Sequence, residues 1–296
     1  MNIRRKMGLV VVSVGALLLS ACGSDSLGGE PAASSAPSVS VSQNEDLSAK
    51  LPESIRSAGV IKIGTDASYA PNEFLAADGK TVQGFDVDLF NAVAAKFGVK
   101  TEWQPSSFDT IIVGVSSGKY DIGISSFTIN EERKGQVNMV SYFTAGTQWA
   151  TQAGNPKGVD PDNACGKTIA VQDKTVQQEE DLPARNKACG SNPIKVLPFE
   201  GQDQATAAVV SGRADAMLAD SPVVAYAVKQ SAGKLESLGD IYEAAPYGYV
   251  VAKDQTQFAE AIVEALKAIE SDGAYKAALD KWGVTEGAIS DFAVNP

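Results

Sequence analysis

The sequence contains no histidine among its 296 residues. This absence excludes histidine-ligated metal sites, histidine general bases and Ser-His-Asp catalysis. Basic residues are also scarce, since 25 lysines and arginines stand against 36 aspartates and glutamates. A chain with this acidic excess is not expected to bind nucleic acid or anionic lipid through its overall charge. We therefore predict no nucleic-acid partner, no metal and no cofactor.

Long apolar runs are absent beyond the N-terminus. The run there, residues 8–19, is nearly all apolar but twelve residues long, whereas a membrane-spanning helix needs about 20. It follows the cations Arg4, Arg5 and Lys6, which is the pattern of an export signal peptide. Removing residues 1–21 takes these three cations from the 25 and leaves 22 against 36 acidic residues, a net charge of −14.

The apolar run ends in LSAC, residues 19–22, which resembles the lipobox of bacterial lipoproteins. The resemblance implies that residues 1–21 are a lipoprotein signal peptide and that Cys22 becomes a lipid-modified N-terminus. A lipid anchor would hold the protein outside the cytoplasm, at the outer face of the cell membrane or in the periplasm. The alternative is an ordinary signal peptide followed by an incidental cysteine.

Residues 22–48 are rich in serine, alanine, glycine and proline and have no helix or strand period. This composition predicts a flexible, lipid-anchored tether. Two cysteines follow it, Cys165 and Cys189. Because exported proteins meet an oxidising environment, an even pair of cysteines indicates a disulfide. The alternative is two free thiols.

Strand and helix patterns alternate through the rest of the chain. Residues 60–64 form a short apolar run, and residues 86–97 have the apolar period of a helix that Gly98 ends. The alternation predicts an α/β fold with a largely parallel sheet. The segment SSGKYDIGISS, residues 116–126, is echoed by VSGRADAMLADSP, residues 210–222, which predicts two similar lobes.

Polar side chains follow the predicted strands in both lobes. In open α/β sheets ligands bind beyond the carboxyl ends of the strands, so two facing lobes predict a cleft for a small polar molecule. The candidate residues of the first lobe are Asp66, Tyr69, Ser125, Ser126, Thr128 and Arg133, and those of the second are Gln172, Thr175 and Asp220.

Two of these residues have opposite charges suited to the two ends of an α-amino acid. The Arg133 guanidinium presents a planar fork that matches a carboxylate, and Asp220 can accept from an ammonium group. Each residue has another interpretation. Arg133 follows two glutamates and could be a solvated helix residue, whereas Asp220 could only cap the helix that Ser221 and Pro222 begin.

Longer motifs resemble solute-binding protein family 3, the amino-acid-binding receptors of ABC importers. They are GTDASYAPNEF, GFDVDLFNAVAAKFG, FDTIIVGVSSGKYDIGISSFTINEER, GRADAMLADSP and APYGYVVAK, within residues 50–285. The resemblance implies a two-lobe periplasmic-binding-protein fold of type II with a ligand cleft. Two hinge strands, near residues 146–152 and 246–251, would join a discontinuous first lobe, residues 49–147 plus 250–296, to a second lobe, residues 148–249.

The resemblance also implies roles for the site residues. Arg133 would bind the ligand's α-carboxylate with Ser126 and Thr128, beside Ser125, and Asp220 would bind the α-ammonium. Tyr69 and Phe108 would pack against the aliphatic part, and Asp66 would lie near the side-chain head, with Glu73 close by. Gln172 and Thr175 would contact the ligand from the second lobe. The sequence departs from many relatives at two places: residues 174–176 are Lys-Thr-Val where those relatives have Gly-Thr-Thr, and Asn72 stands where they have a second aromatic residue.

These features predict a binding protein and not an enzyme. It would capture a free polar amino acid and deliver it to ABC permease subunits in the membrane. Because Asp66 would repel a ligand carboxylate, a basic amino acid or glutamine is favoured. The alternative is an enzyme on the same scaffold, such as a lyase similar to cyclohexadienyl dehydratase, since a buried carboxylate can serve as general acid.

Overall fold

The computed structural model describes residues 41–296. The predicted signal peptide, the lipidated Cys22 and the tether up to residue 40 lie outside these residues. Residues 41–48, which we assigned to the tether, are part of the folded body instead. The side chain of Asn44 caps a short helix, Glu45–Ser48, whose Leu47 is buried in the core. The serine-, alanine-, glycine- and proline-rich composition of residues 22–48 gave no indication that Leu47 would be buried.

The elements alternate as the sequence predicts. The helices are α1 Glu45–Ser48, α2 Glu53–Ala58, α3 Phe85–Phe97, α4 Phe108–Ser116, α5 Glu131–Gln136, α6 Leu182–Asn186, α7 Gln202–Val210, α8 Ser221–Gln230, α9 Thr256–Ser271 and α10 Ala274–Trp282. The strands are β1 Val60–Thr65, β2 Ser68–Tyr69, β3 Glu73–Leu75, β4 Val82–Gln83, β5 Lys100–Pro105, β6 Ile122–Gly123, β7 Val137–Gln152, β8 Thr168–Gln172, β9 Lys195–Phe199, β10 Ala216–Asp220 and β11 Leu235–Ala252.

Helix α3 shows how the sequence sets these elements. Leu89, Phe90, Val93 and Phe97 recur at helical spacing and are all buried. The helix ends at Gly98, whose φ of 71° is a left-handed conformation that glycine adopts without a steric penalty. The predicted bounds, residues 86–97, differ from the observed ones by one residue.

The main sheet has eight strands in the order β5-β1-β6-β11-β7-β10-β8-β9. Its two ends are parallel, because β1 pairs with β5 and β6 in parallel and β8 pairs with β9 and β10 in parallel. The middle is antiparallel, where β7 pairs with both β10 and β11. The sheet is therefore mixed, with each parallel end belonging to one lobe. A small antiparallel sheet, β2-β3-β4, lies beside it.

Two long strands connect the lobes. Strand β11 pairs with β6 of the first lobe at Val250 and Val251, and β7 pairs with β10 of the second lobe over residues 147–151. Between these stretches the β7–β11 pairing has register shifts. The first lobe has one core of α3, α9 and α10 packed on the sheet and another around α4. The second lobe has cores around α7, α8 and β8. Within residues 41–296 no helix is long and apolar enough to cross a membrane.

The second lobe also contains the predicted disulfide. Cys165 and Cys189 are bonded with an S–S distance of 2.04 Å, and their Cα atoms are 5.3 Å apart. The bridge spans a sequence separation of 24 residues, within which all of β8 and helix α6 lie.

Candidate ligand-binding site

Two loops of the first lobe meet at one edge of the sheet. Asp66 follows β1, and Ser125 follows β6 two residues after its end. Since β1 and β6 are parallel neighbours, both loops emerge at their carboxyl ends. The backbone N–H of Asp66 donates to Ser125 Oγ at 3.0 Å, which joins the two loops. Ser126 has a φ of 52°, an unusual conformation for a residue other than glycine.

Arg133 lies in the first turn of α5. The side chain of Asn130 caps this helix by accepting from the Arg133 backbone N–H at 2.9 Å. The guanidinium lies 5.5 Å from the ring centroids of both Phe108 and Phe127. Its Nη1 donates to Thr128 O at 2.8 Å. Arg133 is only 8% exposed, which excludes the interpretation as a solvated helix residue.

The second fork nitrogen of Arg133 reaches the other lobe. Nη2 donates to Lys174 O, in the loop after β8, at 3.1 Å. Burial lowers the pKa of Arg133, while surrounding carboxylates, Glu179 and Asp220 first, act in the opposite direction. A guanidinium remains charged under these conditions. The site therefore contains a buried, oriented cation.

Asp220 lies at the end of β10 in the second lobe and is 6% exposed. It occupies the N-cap position of α8 but makes no capping bond with its side chain. Its Oδ2 accepts from Tyr69 O–H at 2.9 Å and from Tyr247 O–H at 2.7 Å, and its Oδ1 accepts from Gln177 Nε2 at 2.8 Å. The interpretation as a simple helix cap is thereby excluded. Burial raises the pKa of Asp220, partly offset by these hydrogen bonds.

In the loop after β8, the hydroxyl of Thr175 and the ammonium of Lys174 bond within the second lobe and not into the cavity. Thr175 donates its hydroxyl proton to Gln172 O at 2.8 Å, so this proton stays within the loop. Lys174 adopts a φ of 62°, the conformation that a glycine would take freely. Its ammonium pairs with Glu179 at 2.8 Å on the surface and does not face the cavity.

Asp66 is buried but does not line the cavity between the lobes. Its Oδ1 accepts from Ser68 N–H at 3.0 Å, and its Oδ2 accepts from Phe108 N–H at 3.1 Å at the start of α4. Oδ2 also accepts from Gln172 Nε2 of the other lobe at 3.0 Å. Burial raises the pKa of Asp66, while its hydrogen bonds to Ser68 and Phe108 lower it. The predicted contact with a ligand side chain would have to replace the bond from Gln172.

The other predicted residues line one narrow cavity between the lobes. They are Tyr69, Phe108, Ser125, Ser126, Thr128, Arg133, Gln172, Thr175 and Asp220. Phe108 stacks on Phe127 with the ring centroids 4.5 Å apart. Among residues 41–296 no cluster of three or more cysteine, aspartate or glutamate side chains is arranged to hold a metal ion.

Val176 and Gln177 also line this cavity, and sequence reasoning missed both. Gln177 donates to Asp220 Oδ1 and, at 3.0 Å, to Thr147 Oγ1 of β7. It begins a π-helical segment, Gln177–Asp181. Such short segments occur often at functional sites, but nothing in a single sequence distinguishes them from an α-helical turn.

A cleft between two lobes, with a buried cation on one wall and a buried carboxylate on the other, is typical of proteins that bind a small zwitterionic molecule. Comparisons with known proteins agree. The chain matches the bacterial extracellular solute-binding proteins, family 3, over residues 61–285. It is 36% identical to the arginine-binding protein ArgT of Corynebacterium glutamicum over 253 residues, which cover 84% of this chain and 83% of that protein.

Two further relatives are similar along most of the chain. The lysine/arginine/ornithine-binding periplasmic protein of Escherichia coli is 30% identical over 77% of this chain and 86% of its own length. An ancestral arginine-binding protein, solved with arginine and with glutamine, is 34% identical, with TM-scores of 0.71 and 0.70. Both structures cover 76% of this chain and 98% of that protein.

The protein therefore belongs to the bacterial extracellular solute-binding proteins, family 3. Its two-lobe fold is the one that the sequence motifs predicted, and its family acts outside the cytoplasm. The curated relatives are binding proteins, so an enzyme on this scaffold is not favoured.

Proposed function

We propose that this protein captures a basic amino acid, arginine first, and delivers it to the membrane permease of an ABC importer. One observation carries the proposal: Arg133 of the first lobe and Asp220 of the second line the same cavity, and both are buried. A cation and an anion so arranged are complementary to the α-carboxylate and α-ammonium of an amino acid. The names of the relatives support a basic side chain.

Arg133 is the proposed partner of the ligand α-carboxylate. Its two outer nitrogens now donate to main-chain carbonyls, Thr128 O and Lys174 O. A ligand carboxylate would be a stronger acceptor, since charge-assisted bidentate pairs exceed bonds to neutral carbonyls. The rings of Phe108 and Phe127 lie against the guanidinium, each with its centroid 5.5 Å from Cζ.

Asp66 is the proposed partner of the ligand side chain. It is the buried carboxylate next to Phe108, and its inter-lobe donor is the neutral amide of Gln172. A guanidinium or ammonium in place of this amide would pair with the carboxylate charge. A ligand carboxylate would be repelled, and an apolar side chain would leave Asp66 without this donor.

The remaining site residues have supporting roles in this proposal. Tyr69 and Phe108 are walls, and Ser125, Ser126, Thr128, Gln172 and Thr175 surround the polar ends of the ligand. We propose that the first lobe comprises residues up to 147 plus 250–296 and begins near residue 41, and that the second comprises residues 148–249. The two lobes would close by bending of β7 and β11 where their pairing shifts register.

Calorimetric titration with arginine, lysine, ornithine, glutamine, aspartate and glutamate tests the proposal. We expect arginine or another basic amino acid to bind most tightly and the two acidic amino acids not to bind. Bound ligand at a hundredfold excess over Kd should also stabilise the fold by about 2.7 kcal/mol, which a thermal shift detects. Tightest binding of aspartate or glutamate would contradict the proposal.

We also propose that Cys22 carries a lipid anchor that holds the protein at the membrane. The support is the LSAC sequence directly after the apolar run of the signal peptide. Expression with an alkyne-tagged fatty acid should label the wild-type protein and leave Cys22→Ala unlabelled. Equal recovery of wild type and variant in the culture medium, both without label, would show that the cysteine is incidental.

A further inference from the structure

Two acidic side chains lie directly beneath the cavity, outside the residues assigned to the ligand. Glu73 of β3 and Asp86 of α3 are both 0% exposed. Their carboxyl groups are within hydrogen-bonding reach of each other. Ser126 Oγ lies between them, 3.3 Å from Glu73 Oε2 and 3.4 Å from Asp86 Oδ2.

The surroundings of this pair contain acids and hydroxyls. Within residues 41–296 neither carboxyl group forms a salt bridge with a lysine or arginine. The titratable groups that face the pair are Asp66, Tyr69, Tyr142, Tyr247, Tyr249 and Tyr275. Two buried carboxylates in contact, without a cation, cannot both ionise at neutral pH.

One oxygen of the pair has no hydrogen-bond donor among the described residues. Asp86 Oδ2 accepts from Tyr142 O–H at 2.6 Å, but Asp86 Oδ1 is buried and has no donor among the described residues. A proton shared with Glu73 would add a donor to this carboxyl group. Burial and the neighbouring carboxylate raise the pKa of Glu73 well above its ordinary value, and burial raises the pKa of Asp86.

The pair also determines the direction of two serine hydroxyls. Ser125 Oγ accepts from Asp66 N–H and is 3.3 Å from Glu73 Oε1. Ser126 Oγ accepts from Asn72 Nδ2 at 2.8 Å and is in contact with Glu73. A hydroxyl has one proton and two lone pairs. Each serine hydroxyl gives its proton to Glu73 and accepts one hydrogen bond, from Asp66 N–H or from Asn72 Nδ2. One lone pair of each oxygen is then left for the cavity.

We propose that Glu73 and Asp86 share one proton and act as a positioning pair that turns the hydroxyl protons of Ser125 and Ser126 away from the cavity. The two serines then accept hydrogen bonds from the ligand α-ammonium, together with Asp220. They do not donate to the α-carboxylate, which was the role expected for Ser126 from the sequence. This selectivity for an ammonium rests on the proposed function, whereas the shared proton does not.

The shared proton is tested on the ligand-free protein. The folded state keeps a proton that the unfolded chain releases above the ordinary glutamate pKa of about 4.3. Stability from this group is therefore present at acidic pH and is lost as pH rises. Glu73→Gln keeps the shape and the net charge of the protonated pair, since its amide donates to Asp86. The pH dependence of the unfolding free energy gives the proton difference, which is the number of protons bound by the folded state minus the number bound by the unfolded state. Near neutral pH we expect this difference to be about one lower in Glu73→Gln than in the wild type.

Asp181→Asn is the matched control, because Asp181 is buried in the second lobe beside Arg185. It should leave the proton difference near neutral pH as in the wild type. An unchanged proton difference in Glu73→Gln would overturn the proposal. Asp86→Asn provides a second variant, with the same expected result, if Glu73→Gln does not fold.

Neutron diffraction of the deuterated protein tests the hydroxyl directions. We expect one deuteron between Glu73 and Asp86, and the deuterons of Ser125 and Ser126 on the side of Glu73. Serine deuterons that point into the cavity, or Glu73 and Asp86 without a deuteron, would disprove the proposal that this pair shares a proton and orients the serine hydroxyls. A protein that binds no basic amino acid but shows these deuterons would retain the shared proton and lose only the proposed function.

Discussion

The two loops that face the cavity differ in what fixes their conformation. In the first lobe, residues 125–133 are anchored by side chains: Ser125 bonds to the neighbouring loop, and Asn130 caps the helix that carries Arg133. In the second lobe, Thr175 bonds within the loop of residues 172–177, to Gln172 O. The amides of Gln172 and Gln177 bond outside that loop, to Asp66 and Asp220. The first loop is therefore fixed by a helix cap and a serine bond and presents a guanidinium and hydroxyls, whereas the second is fixed by its amides, with charge supplied by Asp220.

The largest expected effect is at Arg133. Arg133→Ala removes a buried bidentate partner of a charged ligand, and we expect affinity for the bound amino acid to fall by about 3–5 kcal/mol, more than a hundredfold. Arg133→Lys should also bind poorly, because an ammonium cannot reproduce the fork. Calorimetry measures both, with circular dichroism to check that the fold is retained. Near-native affinity of either variant would contradict the role of the first loop.

A smaller loss of affinity is expected at Asp220, without a loss of stability in the ligand-free protein. Asp220→Asn keeps the shape but removes the charge that pairs with the ammonium, which should cost about 1.5–3 kcal/mol of binding. Burial raises the pKa of Asp220, so its contribution to stability is present below the ordinary aspartate pKa of about 3.9 and is lost as pH rises. The ligand-free variant should therefore melt no lower than the wild type at neutral pH. A lower Tm together with unchanged affinity would contradict this assignment.

The disulfide should affect stability and not binding. Replacing Cys165 and Cys189 by serine opens a loop with a sequence separation of 24 residues. The chain-entropy model gives a loss of about 3 kcal/mol. Neither cysteine lines the cavity, so the order of affinities in a ligand panel should be that of the wild type. Thermal unfolding measures the loss of stability, and mass spectrometry of the alkylated, unreduced wild-type protein checks the bond. Two alkylated thiols would show that the disulfide is absent.

The smallest effect is expected at Lys174. The positive φ of Lys174 costs an L-residue about 1–2 kcal/mol. Glycine has no such penalty, but it makes the unfolded chain more flexible, which cancels part of the gain in stability. Lys174→Gly should therefore stabilise the protein by less than about 1 kcal/mol. Lys174→Ala, which loses the pair with Glu179 but keeps the φ penalty, is the matched control. A large loss of affinity in Lys174→Gly alone would show that loop rigidity, and not the carbonyl of residue 174, matters for binding.

The sequence by itself predicted the alternating elements, the polar strand ends and the pairing of cysteines. The elements and strand ends follow from local rules: apolar period, glycine stops such as Gly98, and the position of a side chain directly after a strand. The cysteine pairing follows from their even number in an exported chain. Of the ten residues predicted to bind the ligand, nine line the cavity between the lobes, and Asp66 does not. The absence of histidine alone excluded several kinds of chemistry.

Only the tertiary structure decided how these groups are bonded. Asp66 accepts from Gln172, 106 positions away, and Asp220 from Tyr69, 151 positions away. The folding of residues 41–48 depends on the burial of Leu47 against helices of the first lobe. Gln177 enters the cavity through a π-helical turn, and Glu73 lies beneath two serines. Hydrogen bonds between distant segments depend on how the lobes pack, and no local pattern in the chain specifies which lone pairs remain free.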